Sequence, residues 1–85
     1  MQSDEIVVFL TDWLHRVMAG MVFHPDDIKI ISKEDDMGLL FLVRVHEKDI
    51  GKAIGKNGIH AEAIRTLLRC AGSLYGVRAS MKIEL

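Results

Sequence analysis

The stretch that decides the reading is Ile50-Gly51-Lys52-Ala53-Ile54-Gly55-Lys56-Asn57-Gly58. Two glycines, Gly55 and Gly58, frame two polar residues, and helix-like sequence lies on both sides. Residues 47–54 read as a short helix. A longer one follows Gly58, with Ala61, Ile64, Leu67, Leu68 and Ala71 on one face. Glycine adopts backbone angles closed to other residues and leaves no side chain in the way of a close ligand. The first amides of the following helix lack helical partners, and the helix dipole favours an anion there. Lys56 adds a full positive charge, and Asn57 both donates and accepts hydrogen bonds. These parts suit a phosphate of a nucleic-acid backbone. A glycine-x-x-glycine pattern alone is equally a tight turn between two helices, so its surroundings have to decide.

Upstream, Ile6, Phe9, Leu10, Trp13, Leu14, Val17 and Met18 recur at steps of three and one. This is the pattern of an amphipathic helix over residues 4–19, with Ser3 or Asp4 as its cap and Gly20 as its stop. Phe9 and Trp13 are expected in the core. Pro25 breaks the chain after His24. A short strand fits residues 28–32, and residues 33–38 are polar and turn-like. A second strand fits residues 39–46, its apolar face Leu39, Phe41, Val43 and Val45. The last strand alternates, with Ala79, Met81, Ile83 and Leu85 inward and Arg78, Ser80, Lys82 and Glu84 outward. The predicted order is α-β-β-α-α-β. It gives an α+β fold, a three-stranded sheet covered on one face by three helices, in one domain over residues 1–85.

Composition narrows the function. At 85 residues there is room for one core, and the 49% hydrophobic and 27% charged content is that of an ordinary globular chain. The longest stretch without Lys, Arg, Asp or Glu is residues 17–25, far short of the ~20 a membrane span needs. The acidic N-terminus does not read as a signal peptide, so a cytoplasmic location with no membrane association is expected. A single cysteine, Cys70, excludes an internal disulfide, and His15, His24, His46 and His60 have no metal-ligand spacing. No metal and no cofactor are expected. The net charge of −1 hides an asymmetry: residues 1–49 hold ten acids and five bases, residues 50–85 two acids and six bases. The loop therefore lies in the basic part, where the local field suits phosphate.

An enzyme is not expected. A nucleotide phosphate loop needs four residues between its glycines and a Lys-Ser or Lys-Thr after the second. Here three residues separate Gly51 from Gly55, and Asn57 stands where the hydroxyl would be. No carboxylate pair or nucleophile–base pair stands out. His60 and Glu62 read as solvated helix residues, and Cys70 as a small core or interface residue.

Residues 49–68 resemble the KH motif, in which an isoleucine precedes a glycine-x-x-glycine loop. The element order resembles its type II, bacterial form. With His24-Pro25-Asp26-Asp27, Gly51-Lys52, Ala63-Ile64-Arg65-Thr66 and the final strand, nearly the whole chain is similar to the small stand-alone KH proteins of bacteria, the KhpA family. The resemblance implies non-catalytic binding of single-stranded RNA, about four nucleotides held by the loop, and roles in RNA metabolism such as RNA chaperoning. It implies that Gly55, Lys56, Asn57 and Gly58 contact phosphates. Ile50 and Ile54 line an apolar groove for bases, and Lys52 sits near its rim. Arg65 serves the fold or a partner contact. It also implies a homodimer, or a heterodimer with a larger KH protein of the Jag (KhpB) kind. Ile59 and Glu62 depart from the family pattern, which more often has positive or polar residues there. Both remove charge beside the phosphate path, and Ile59 also suits a protein contact. The other reading is a KH-like dimerisation or scaffolding module with little RNA binding of its own.

Overall fold

In the computed structural model, residues 3–85 are described. Six elements follow in order: α1 (Ser3–Ala19), β1 (Lys29–Asp35), β2 (Gly38–Arg44), α2 (Ile50–Ile54), α3 (Ile59–Ser73) and β3 (Ala79–Ile83). Single 3₁₀ turns at Pro25–Asp27, Glu47–Asp49 and Lys56–Gly58 join some of them. The sheet order is β1-β2-β3, with β1 antiparallel and β3 parallel to the central β2. Parallel neighbours cannot be joined by a hairpin, so the chain crosses over through α2 and α3. The glycine loop is the joint in the middle of that crossover. This α+β architecture has the predicted element order and is that of a type II KH fold.

Each element forms because its apolar positions repeat at the right period. Ile6, Leu10, Leu14 and Met18 bury one line of α1, Ala61, Ile64 and Leu68 one line of α3. Leu39, Phe41 and Val43 on β2 and Ala79, Met81 and Ile83 on β3 close the core from the sheet side. Burying one such large side chain is worth about 1.5–3 kcal/mol.

Several residues depart from the sequence expectation. β1 runs on through Asp35, so the connection to β2 shrinks to Asp36 and Met37, with the Asp35 carboxylate accepting from Met37 N–H at 2.7 Å. Strand pairing with β2 outweighs the polarity of Lys33 to Asp35, which stay exposed on an edge strand. Residues 47–54 split into a 3₁₀ turn and α2. Phe9 is 42% exposed and meets Tyr75 edge-on with ring centroids 5.7 Å apart, while Trp13 packs half-buried on the core. Leu67 and Leu85 point to solvent, and so does Cys70. α1 is described from Ser3 on, so Ser3 and Asp4, the expected caps, both lie within the helix.

Candidate nucleic-acid interface

Three of the four loop residues have positive φ. Gly55 sits at φ 78°, ψ 167°, Asn57 at φ 59°, ψ 23°, and Gly58 at φ 76°, ψ 15°. Asparagine is among the few residues with a side chain that tolerate such angles. The loop is therefore a tight, defined turn. Gly55 N–H donates to Gly51 O at 2.8 Å and Gly58 N–H to Gly55 O at 3.0 Å. Ile59 N–H donates to Lys56 O. Two amides that the sequence reading left unpaired at this end, those of Gly58 and Ile59, thus bond within the loop. The Lys56 and Asn57 side chains are exposed at its tip. A Cβ built at Gly51 or Gly58 would meet no other atom within 4 Å, so the backbone at both positions is open to an approaching ligand.

Three anchors hold this turn. His60, on the first turn of α3, donates from Nδ1 to Lys52 O at 2.8 Å and ties α3 back to α2. Its ring fills the space beside Gly55, where an added Cβ would stand 2.6 Å from His60 Cγ. At the other end of α2, Asp49 is buried and accepts three hydrogen bonds: Phe23 N–H at 3.2 Å, His24 N–H at 2.9 Å and His24 Nδ1–H at 2.9 Å. Burial pushes the Asp49 carboxyl up, but these bonds and the charge that His24 carries when protonated outweigh it, and the group titrates below its ordinary value. The His24 ring stacks on His46 with centroids 4.0 Å apart, and His46 Nδ1 accepts from Lys48 N–H at 3.0 Å. Third, Arg65 Nε donates to Met81 O at 2.9 Å and joins α3 to β3, while its Nη1 holds Glu62 at 3.2 Å. Arg65 therefore serves the fold, and the Glu62 carboxylate is engaged by it.

Ile50 and Ile54 lie on one side of α2, half-buried against the core. Lys52 leaves the helix on the other side, with its Nζ 4.8 Å from the centre of the Phe23 ring. The two isoleucines therefore pack toward the core, and Lys52 does not. Among the described residues, neither Lys52 nor Lys56 is in an ion pair. Ile59, just past the loop, is 63% exposed. Sequence reasoning missed Asp49, His60 and Phe23. The first two act through contacts distant in the chain and follow no period. The position of Phe23 next to the break at His24-Pro25 was its only signal. Among the described residues no cluster of three or more His, Cys, Asp or Glu could hold a metal ion, and no helix is long and apolar enough to cross a membrane.

A three-stranded mixed sheet whose parallel crossover carries a glycine-x-x-glycine turn between two helices defines a KH domain of type II topology. Residues 11–83 match the family described as KhpA/KhpB, KH domain. The chain is 40% identical over 75 residues to the RNA-binding protein KhpA of Bacillus subtilis (88% of each chain). It is 42% identical over 68 residues to the RNA-binding protein KhpA of Leifsonia xyli, covering 80% of this chain and 90% of that one. The protein of that name from Streptomyces coelicolor is 39% identical over 72 residues, 85% and 90% of the two chains. No solved structure matches. The chain belongs to the KhpA/KhpB family of KH-domain proteins.

Proposed function

We propose that this protein is a non-catalytic, cytoplasmic RNA-binding domain, residues 1–85, that holds single-stranded RNA at the turn between α2 and α3. The observation that carries this reading is the loop itself. There is open space beside Gly58, the turn is fixed by three backbone hydrogen bonds, and unpaired Lys56 stands at its tip. The relatives named as RNA-binding proteins point the same way. Gly55, Lys56, Asn57 and Gly58 take the phosphates, and Ile50 and Ile54 face the bases. Lys52 contributes charge from the other side of α2.

The test is fluorescence anisotropy of a labelled single-stranded RNA with the wild-type chain and a Lys56→Asp, Asn57→Asp double variant. Both glycines stay, and circular dichroism checks the fold. Binding by the wild type that the folded variant loses supports the reading, and equal binding by both refutes it. With two or three phosphate contacts, log K falls against log salt with a slope of about −1.5 to −2.

The same reading includes pairing, since one domain with so few contacts binds weakly and a second raises the local concentration of sites. Exposed Ile59, Ala63, Leu67, Cys70 and Leu74 follow one another along α3 and its end at steps of four, four, three and four. That is a second apolar stripe, opposite in role to the buried one, and it suits packing against another helix. The pairing partner is a second copy of this chain or a larger KH chain. This stripe is also what favours the scaffolding reading, and the loop variant separates the two.

A further inference from the structure

Phe23 is the most exposed of the five aromatic residues, at 75%. A single exposed ring is ordinary on a protein surface, but the backbone that carries this one is held in place. Its own N–H and that of His24 are both held by the buried Asp49 carboxylate, and Pro25 restricts the chain just beyond. The Lys52 ammonium lies 4.8 Å from the ring centre, within the range of a cation–π contact. Lys52 precedes Gly55 by three residues, about 4.5 Å along the helix axis, and its carbonyl is bonded to His60, whose ring flanks Gly55. Exposed Lys52 thus meets the Phe23 ring through its ammonium and the exposed His60 ring through its carbonyl, and His60 flanks Gly55, the residue before Lys56. Aromatic rings interleaved with cations are what single-stranded nucleic acid binds without strong base preference, one base on each ring face.

We infer that Phe23 is a base-stacking platform that extends the RNA site beyond the loop. A strand longer than the roughly four nucleotides a KH loop holds continues over His60 and Lys52 and lays one more base on the Phe23 ring. Lys52 then neutralises the phosphate of that nucleotide. The Asp49 clamp fixes the backbone at Phe23 without covering the ring, so the backbone there needs no ordering on binding. This inference rests on the RNA-binding reading above.

The test uses a labelled eight-nucleotide oligoadenylate at low salt with the wild-type chain, Phe23→Ala, Phe23→Leu, Phe23→Trp and the loop double variant, all checked for unchanged urea midpoints. Phe23→Ala and Phe23→Leu are expected to weaken binding about five- to tenfold, the lower end of what one stacked base is worth on alanine substitution. Phe23→Trp is expected to keep the affinity, and its tryptophan emission to be quenched by unlabelled octamer more than that of the wild type, whose one tryptophan is Trp13. Three results overturn the inference alone while the loop variant still loses binding. They are Phe23→Ala equal to wild type, loss by Phe23→Ala but not by Phe23→Leu, and no extra quenching with Phe23→Trp. A wild type that binds no octamer overturns the RNA reading and this inference with it.

Discussion

Replacing Gly55 by alanine and, separately, Gly58 by alanine makes the same chemical change at the two ends of one loop, yet the structure sets very different costs. At Gly55 the angles, φ 78° and ψ 167°, lie in a region that is essentially open to glycine only. Holding a side chain there costs about 1–3 kcal/mol. The added Cβ would also stand 2.6 Å from His60 Cγ, 2.7 Å from its Nδ1 and 2.9 Å from its backbone nitrogen, so α3 has to shift. Forced contacts of that kind cost about 1–3 kcal/mol more. Alanine stiffens the unfolded chain and returns about 0.4–1 kcal/mol. With mid-values of these ranges the net loss at Gly55 is about 3 kcal/mol. At Gly58 the angles are left-handed helical, at about 1–2 kcal/mol for a side chain, and nothing lies within 4 Å of the new Cβ. With mid-values and the same return the net loss is about 0.8 kcal/mol. A domain of this size has total stability on the order of 4–13 kcal/mol, so Gly55→Ala uses up much of it and Gly58→Ala little. Urea unfolding followed by circular dichroism reads both. With a slope of about 1 kcal/mol per molar urea, the midpoint should drop by roughly 2 M or more for the first and by less than about 1 M for the second. His60→Ala removes its bond to Lys52 O but also relieves the two ring contacts, so it should cost less on top of Gly55→Ala than it does alone. Equal midpoints for the two single variants, or a lower one for Gly58→Ala, would refute the reasoning.

Two further outcomes follow from the anchors and the exposed stripe. Asp49 titrates below its ordinary value of 3.8, so its bonded carboxylate stabilises the fold above that pH, and the contribution disappears as the pH falls through the lower folded value. A melting series from pH 2 to 7 should show a steep loss below about pH 4 in the wild type, and Asp49→Asn should lower the melting temperature at neutral pH while flattening that acid limb. Leu67→Glu puts a charge in the middle of the exposed α3 stripe without touching the core. Sedimentation equilibrium should shift from a dimer toward the 9.6 kDa monomer, and an unchanged mass distribution counts against the stripe as the pairing surface.

The fold was legible because its core obeys periods. Ile6, Leu10, Leu14 and Met18 on α1, and Phe41, Val43, Met81 and Ile83 in the sheet, are where their spacing puts them. The misplaced residues share a physical reason. Leu67 and Phe9 border the buried lines of α3 and α1, and whether a border position is covered depends on what packs against it, which periodicity does not contain. Lys33 to Asp35 look like turn residues by propensity, and only their pairing with Leu40, Leu39 and Gly38 makes them strand. In the site, the glycine spacing exposed the loop at once. Asp49 is one of ten acids in residues 1–49, and nothing local marks it as the buried one. Its partners lie 25 and 26 residues earlier. His60 read as a solvated residue because its bond to Lys52 O reaches around the loop, eight residues back.

Those hidden residues bear on how so small a loop would serve as the proposed binding site. Four residues with two glycines would lose conformational freedom on gripping a ligand, since glycine has the most to lose. Each immobilised side chain or loop segment subtracts from affinity. Here the freedom is already spent on folding. Gly55 N–H and Gly58 N–H are bonded, His60 fastens the start of α3 to the last turn of α2, and Asp49 fastens the first turn of α2 to the segment at Phe23 and His24. Arg65 locks α3 to β3, the strand that completes the crossover. Asp49, His60 and Arg65 all lie on the crossover between two parallel strands, so the loop is tied to the other end of α2, to α3 and, through Arg65, to the sheet. What stays free is the tip, Lys56 and Asn57, together with the uncovered backbone at Gly51 and Gly58. On the proposed function, such a frame would let a few weak contacts to phosphate count in full, because almost none of their free energy would go into ordering the protein.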